Sequence, residues 1–345
     1  MTAPLLITMG DAAGIGPEII AKAFREAPTE LAGCVVVGDV ATLRRAAALT
    51  AAPLALPVAV IESLAALPFV PPNCIPVLQK CELPAPVPFG LVSALAGKAA
   101  ADCIVWAARA VLAGEALAMV TAPIHKEALA AAGGRAAGFP GHTEMLQAEA
   151  AAFLGKPVEQ LPVRMMLAND ELQTVLVSIH LPLRKALDAV TFDNVLQTLR
   201  ITHKAVRASL GRAPRIAVAG LNPHAGEGGL FGTEEQDTIA PAIAAARKEG
   251  MDVSGPYAPD TVFMRARNAA NKPGEFDVVV AMYHDQGLIP VKYLGVAHGV
   301  NVTLGLPLVR TSPDHGTAFN IAGSGRADAS SLLAALRMAR QLARV

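Results

Sequence analysis

Short apolar runs recur along the chain, and several of them do not alternate with polar residues. Residues 5–9, 34–37, 58–61, 117–121, 163–167, 175–179, 216–219, 276–282 and 300–304 predict strands. Apolar runs without alternation suit strands covered on both faces. Helical segments lie between them at 94–112, 192–210 and 234–248, the first with Cys103, Trp106, Ala107 and Ala110 on one side. Strand–helix alternation predicts α/β layers around a mostly parallel sheet. The proline-rich section from Pro68 to Pro88 reads as an irregular crossover. No repeat or low-complexity linker appears, so a domain boundary crossed more than once is expected. Ligands of such sheets bind at the carboxyl ends of strands or between domains.

A chain of 345 residues suggests about two domains. With 53% hydrophobic and 17% charged residues it can bury large cores. Lys+Arg and Asp+Glu both number 29, and aromatics make up only 4%. That combination argues against a nucleic-acid binder, which needs a basic face and stacking rings. The start of the chain has no basic region before its apolar run, so no signal peptide is expected. The apolar stretch 46–78 is broken by prolines and Glu62, which excludes a membrane span there. Cys34, Cys74, Cys81 and Cys103 form no C-x-x-C pair and read as reduced thiols of a cytoplasmic protein.

Polar and glycine-rich segments sit directly after the strands. Gly10-Asp11-Ala12-Ala13-Gly14-Ile15-Gly16-Pro17-Glu18 permits a tight turn, and Pro17 suits a first helical turn. It is not a G-x-G-x-x-G, and Asp11 would repel a phosphate, so spacing gives no Rossmann pyrophosphate site. His142 and Thr143 stand at an expected helix start, as cap or as ligand groups. His180, His224 and His284 each follow a strand. Two readings stand: three ligands of one divalent cation with open positions, or hydrogen-bonded structural histidines. Asp285 is placed to orient an imidazole. Lys292, Asn301 and Arg310 suit an anionic substrate, or a solvated surface. Asp314-His315-Gly316-Thr317 opens a loop whose glycines let backbone approach a nucleotide. His203 and His298 read as surface or packing residues, and His125 has no assigned role.

The blocks ITMGDAAGIGPE, TAPIHKEAL, FPGHTEML, GLNPHAGEGGLFGTEE, MYHDQGLIPVK and GVNVTLGLPLVRTSPDHGTAFNIAG resemble the 4-hydroxythreonine-4-phosphate dehydrogenase family across nearly the whole chain. The resemblance implies two α/β/α domains like those of isocitrate and isopropylmalate dehydrogenases. It also implies a cleft active site at a homodimer interface. The expected division is 1–125 with 305–345 on the cofactor side, and 126–304 for substrate, metal and dimerisation. By residue match, His180, His224 and His284 are expected metal ligands shared between subunits. His142, Thr143, Lys292, Asn301 and Arg310 are expected on substrate, Asp260 and Lys292 as catalytic groups, and Asp314, His315, Gly316 and Thr317 on the cofactor. Two positions depart from the family wording: Ala12 replaces a proline, and Asn320 stands where relatives often carry aspartate.

The implied activity is oxidation of 4-phosphooxy-L-threonine with NAD or NADP, assisted by zinc, magnesium, manganese or cobalt. The product is 2-amino-3-oxo-4-phosphooxybutanoate, which decarboxylates to 3-amino-2-oxopropyl phosphate in pyridoxal phosphate biosynthesis. Alternatives are a dehydrogenase of threonate or erythronate 4-phosphate, and a metal-dependent hydrolase. Neither nucleic acid nor membrane is an expected partner.

Overall fold

The computed structural model describes residues 3–343 apart from Ala52, Arg135 and Val296. The strands are β1 (Leu5–Thr8), β2 (Cys34–Gly38), β3 (Val58–Ile61), β4 (Ile75–Gln79), β5 (Ala118–Thr121), β6 (Arg164–Ala168), β7 (Gln173–Leu176), β8 (Ile216–Ala219), β9 (Val253–Tyr257), β10 (Val278–Ala281), β11 (Val300–Leu304) and β12 (Arg310–Pro313). The α-helices are α1 (Gly16–Glu26), α2 (Val40–Leu49), α3 (Ala94–Leu112), α4 (Lys126–Ala131), α5 (His142–Leu154), α6 (Leu183–Asp188), α7 (Phe192–Leu210), α8 (Ala240–Lys248), α9 (Val262–Ala266), α10 (His284–Tyr293) and α11 (Ser330–Leu342). None of the described helices is long and apolar enough to cross a membrane.

The chain divides into two compact units. The first comprises Met1–Pro162 with Leu306–Arg340, the second Val163–Gly305 with Gln341–Val345. The chain passes from the first unit to the second after Pro162 and returns after Gly305. Helices α4 and α5 lie against α3 in the first unit. Gly97 of α3 faces the Ala128 carbonyl of α4 so closely that a Cβ would stand 2.0 Å from it.

In the first unit the strand order is β3-β4-β2-β1-β5-β12, all parallel. Every residue of β1, β2 and β5 is buried, as their unbroken apolar runs require. Helix starts are set by local chemistry. Pro17 stands in the first turn of α1, Asp39 accepts from the Thr42 N–H to cap α2, and Ser93 accepts from Ala96 to cap α3.

In the second unit the order is β11-β6-β7-β10-β8-β9. β7, β10, β8 and β9 run parallel, while β6 is antiparallel to both β11 and β7. The core between sheet and helices includes Leu167, Leu176, Ala217, Val279 and Leu288. Thr191 caps α7, and Gly211 closes it at φ 67°. The segment expected as one helix at 234–248 begins with a π-helical turn at Glu235–Ile239 before α8.

Candidate active site

Parallel strands that end at one edge bring the residues following them together. In the first unit this edge gathers the turn after β1, the segment after β5 and the loop after β12. Arg310 opens β12 opposite Met119 of β5. It is 4% exposed, and its Nε and Nη2 donate to Thr121 Oγ1 at 3.0 and 2.7 Å. Burial lowers its pKa to about 10, so it stays charged at neutral pH, with the Glu144 carboxylate favouring that charge. His142 and Thr143 form the first turn of α5, where free N–H groups favour an anion. Burial, then the Arg310 charge, pushes the His142 pKa well below its ordinary value. His142 is therefore a neutral ring, and its Nε2 has no hydrogen-bond partner among the described residues. Together these groups form an anion-receiving corner: a fixed guanidinium, a hydroxyl, a neutral imidazole and a helix start.

Beside it, the turn at 10–18 and the loop at 314–323 interlock. The Ile15 N–H donates to the Thr317 carbonyl at 3.0 Å, and Asp11 N–H to the Pro123 carbonyl at 2.9 Å. Gly14 is required by the approach: a Cβ there would meet Thr317 at 2.9 Å. Ala12, where a proline was expected, lends its carbonyl to Arg45 at 3.0 Å. His125, left open by the sequence, stacks on Phe319 with centroids 4.6 Å apart and planes 16° apart. Asp11 is 1% exposed and accepts from Ala13 N–H through Oδ1. Burial raises its pKa, against the pull of the Ala13 N–H and His125. Asp11 Oδ2, His125 Nδ1 and His315 Nε2 lack hydrogen-bond partners among the described residues. Orphaned buried polar atoms beside a glycine-rich loop fit a polar ligand such as a nicotinamide dinucleotide. Thr317 is buried, Asp314 and His315 are half-buried, and Gly316 is exposed.

In the second unit the three expected metal ligands follow three neighbouring strands. His180 follows β7, His284 follows β10 and His224 follows β8. The His180 and His284 rings have centroids 5.7 Å apart. His284 Nδ1 lies 2.7 Å from Asp285 Oδ1, the arrangement that orients a ligating imidazole. His224 sits in a run of positive φ from His224 to Gly228, and its ring lies 6.1 Å from that of Phe231. Among the described residues no group of three or more His, Cys, Asp or Glu could hold a metal ion. His180 and His284, with a carboxylate behind His284, are donor types that suit a divalent ion, and among the described residues no third donor completes the set.

The sequence did not single out the side chains that hold these loops. Glu235, 3% exposed, accepts from the Leu221 and Asn222 N–H groups at 2.6 and 2.8 Å and from Asn222 Nδ2 at 2.9 Å. Burial works against its charge, but these hydrogen bonds hold its pKa below the usual value. Gln286 accepts from Met282 N–H and donates to the Gly220 carbonyl, both at 2.7 Å, tying the ends of β10 and β8. Thr121 was quoted only as part of a motif. Position was a signal for Thr121, which ends β5, and for Gln286, which comes soon after β10; Glu235, in the turn before α8, offered none. The remaining expected residues are spread over the second unit. Asp260 is exposed just after β9, Lys292 is exposed on α10, and Asn301 is half-buried on β11 opposite Leu167.

Comparison with known proteins completes the picture. The family model described as pyridoxal phosphate biosynthetic protein PdxA matches residues 30–339. The chain is 52% identical over 340 residues to the 4-hydroxythreonine-4-phosphate dehydrogenase of Beijerinckia indica, covering 98% of this chain and 95% of that one. It is 43% identical to the D-threonate 4-phosphate dehydrogenase of Pectobacterium atrosepticum, over 99% of this chain and all of the other. The crystal structure of 4-hydroxythreonine-4-phosphate dehydrogenase from Klebsiella pneumoniae superposes with a TM-score of 0.86 at 41% identity, covering 100% and 99% of the two chains. Fold and relatives define an α/β dehydrogenase, an oxidoreductase class that uses a nicotinamide cofactor. Within that class, the chain belongs to the PdxA family of pyridoxal phosphate biosynthesis.

Proposed function

We propose that the protein oxidises 4-phosphooxy-L-threonine with NAD or NADP to 2-amino-3-oxo-4-phosphooxybutanoate, which loses carbon dioxide to give 3-amino-2-oxopropyl phosphate. What carries the reading is the anion corner around the buried Arg310, in a family whose named substrates are four-carbon acids with a 4-phosphate.

Arg310 and the first turn of α5 bind the anionic substrate, and Thr121 fixes the guanidinium. His142 accepts or donates a hydrogen bond without adding charge, and Thr143 offers a hydroxyl. Lys292 and Asn301 hold the rest of the substrate. His180, His224 and His284 would hold a divalent cation, which would supply Lewis-acid stabilisation of negative charge developing on substrate oxygen. Asp314 to Thr317 would position a nicotinamide cofactor, whose chemistry would be hydride acceptance. The hydroxyl proton passes to a base, for which Asp260 and Lys292 are the candidates. The family resemblance further assigns a homodimer with shared sites.

D-threonate 4-phosphate is the second reading, since a relative carrying that name, from Cupriavidus necator, is 45% identical to this chain. The two acids differ at one carbon, amino against hydroxyl. Reduced nicotinamide is measured with each acid in turn. A higher kcat/KM for 4-phosphooxy-threonine supports the proposal, and preference for threonate phosphate replaces it with the second reading.

A further inference from the structure

The first unit holds a cavity of about 490 Å³ between α3, α5 and the segment after α4, and it shares no residue with the strand-end site. Its size is that of a small-molecule pocket, for which roughly 300–1,000 Å³ is usual. Val105, Trp106, Phe139 and Met145 give it apolar walls. Lys98 pairs with Asp102 at 2.6 Å, and Arg109 with Glu149 at 2.8 Å. Among the described residues of the lining these pairs engage both carboxylates, and Lys80 is the cation outside them. Its Nζ stands 4.9 Å from the centre of the Trp106 ring. An ammonium on an indole face keeps its N–H donors for an anion that approaches from the cavity.

A small phosphorylated hydroxy acid is polar along its whole length and would leave Trp106 and Phe139 uncovered. The lining calls for a different molecule, apolar in body with one negative group. We propose that this cavity binds a small aromatic monocarboxylate, with the carboxylate on Lys80 and the ring against Val105, Trp106 and Phe139. Nothing in the proposed dehydrogenase reaction uses such a ligand, so the site is an additional one.

Trp106 is the only tryptophan of the chain and reports on the cavity directly. The full-length protein is titrated with 4-phenylbutyrate and with its uncharged analogue 4-phenylbutanamide, following Trp106 emission and, in parallel, heat. The expected result is saturable binding of the acid, one per chain, at least tenfold tighter than the amide. Lys80→Met should bring the acid down to the affinity of the amide while leaving unliganded turnover unchanged. Val105→Phe should fill the cavity and abolish binding of both. Three results overturn the proposal. One is no saturable binding by either signal in the unaltered protein. Another is equal affinity for acid and amide. The third is displacement of the acid by inorganic phosphate, which marks a mere patch of charge. The comparison of acid with amide needs no variant, so misfolding of either variant leaves the test intact.

Discussion

Arg310 is a buried cation that donates twice to the Thr121 hydroxyl, and its chemistry follows from that. The two N–H groups that converge on Thr121 Oγ1 need the planar fork of a guanidinium. Lysine keeps the charge but loses the fork. Arg310→Lys should therefore lower kcat/KM for the phosphorylated acid about 10- to 100-fold, the scale of a lost charge-assisted hydrogen bond or two. Steady-state kinetics check this, and an unchanged kcat/KM removes Arg310 from substrate binding. His142 makes a prediction with a sign. Its folded pKa is depressed, first by burial and then by Arg310. As pH falls below the unfolded value near ~6.5, the unfolded chain takes up a proton that the folded chain does not. The stability tied to His142 is fully present above that value and declines toward its folded pKa. Thermal melts between about pH 7 and 5 should show a fall that is shallower in His142→Asn. Identical slopes contradict the assignment. Residue roles were legible in the sequence where a motif quoted them. Arg310 and His142 were visible as candidates, but their coupling through burial and a shared electrostatic field was not, because their numbers lie far apart.

At the scale of elements, strands carrying apolar runs were readable, as was the alternating β11, whereas β4, β9 and β12, set among prolines or polar residues, were not. The prolines around β4 read as an irregular crossover, yet Ile75, Val77 and Leu78 are buried between β3 and β2. β12 reads Arg-Thr-Ser-Pro, with no apolar pattern to betray it. β9 contains Gly255 and Pro256, residues that signal turns, and it stands at the end of the strand order where proline is tolerated. Two elements can be tested by substitution. A methyl group on Gly97 would meet the Ala128 carbonyl, so Gly97→Ala should destabilise by about 1–3 kcal/mol despite alanine's helix preference. Denaturant unfolding measures this, and a stabilised variant would contradict the close packing of α3 on α4. Glu235 holds the loop after β8. Glu235→Ala removes the acceptor of the half-buried Leu221 and Asn222 N–H groups, a loss of about 0.5–1.5 kcal/mol for each hydrogen bond. Because its folded pKa is depressed, its contribution is present above the unfolded carboxylate value and lost as pH falls through the folded one. His224 lies on that loop, so metal-dependent activity should fall with it. Full chelator-sensitive activity in the variant would separate loop from function.

For the whole molecule, the α/β class followed from the alternation of strands and helices. The packing of α4 and α5 on α3, with Gly97 against the Ala128 carbonyl, was not legible, because no composition change marks it. The histidines show the same limit. Sequence puts each one after a strand, and parallel neighbours β7, β10 and β8 explain why three such positions share one edge. Which rings approach one another is set by loop conformation, such as the positive-φ run from His224 to Gly228.

The central claim is hydride transfer from a phosphorylated hydroxy acid, assisted by a divalent ion on those histidines. The most direct measurement is absorbance of reduced nicotinamide with 4-phosphooxy-L-threonine and NAD or NADP, before and after chelation and metal return. The account predicts turnover that chelation abolishes, that added metal restores, and that His224→Ala cannot recover. Undiminished turnover under chelation, or no reduced nicotinamide with any 4-phosphorylated acid, would contradict it.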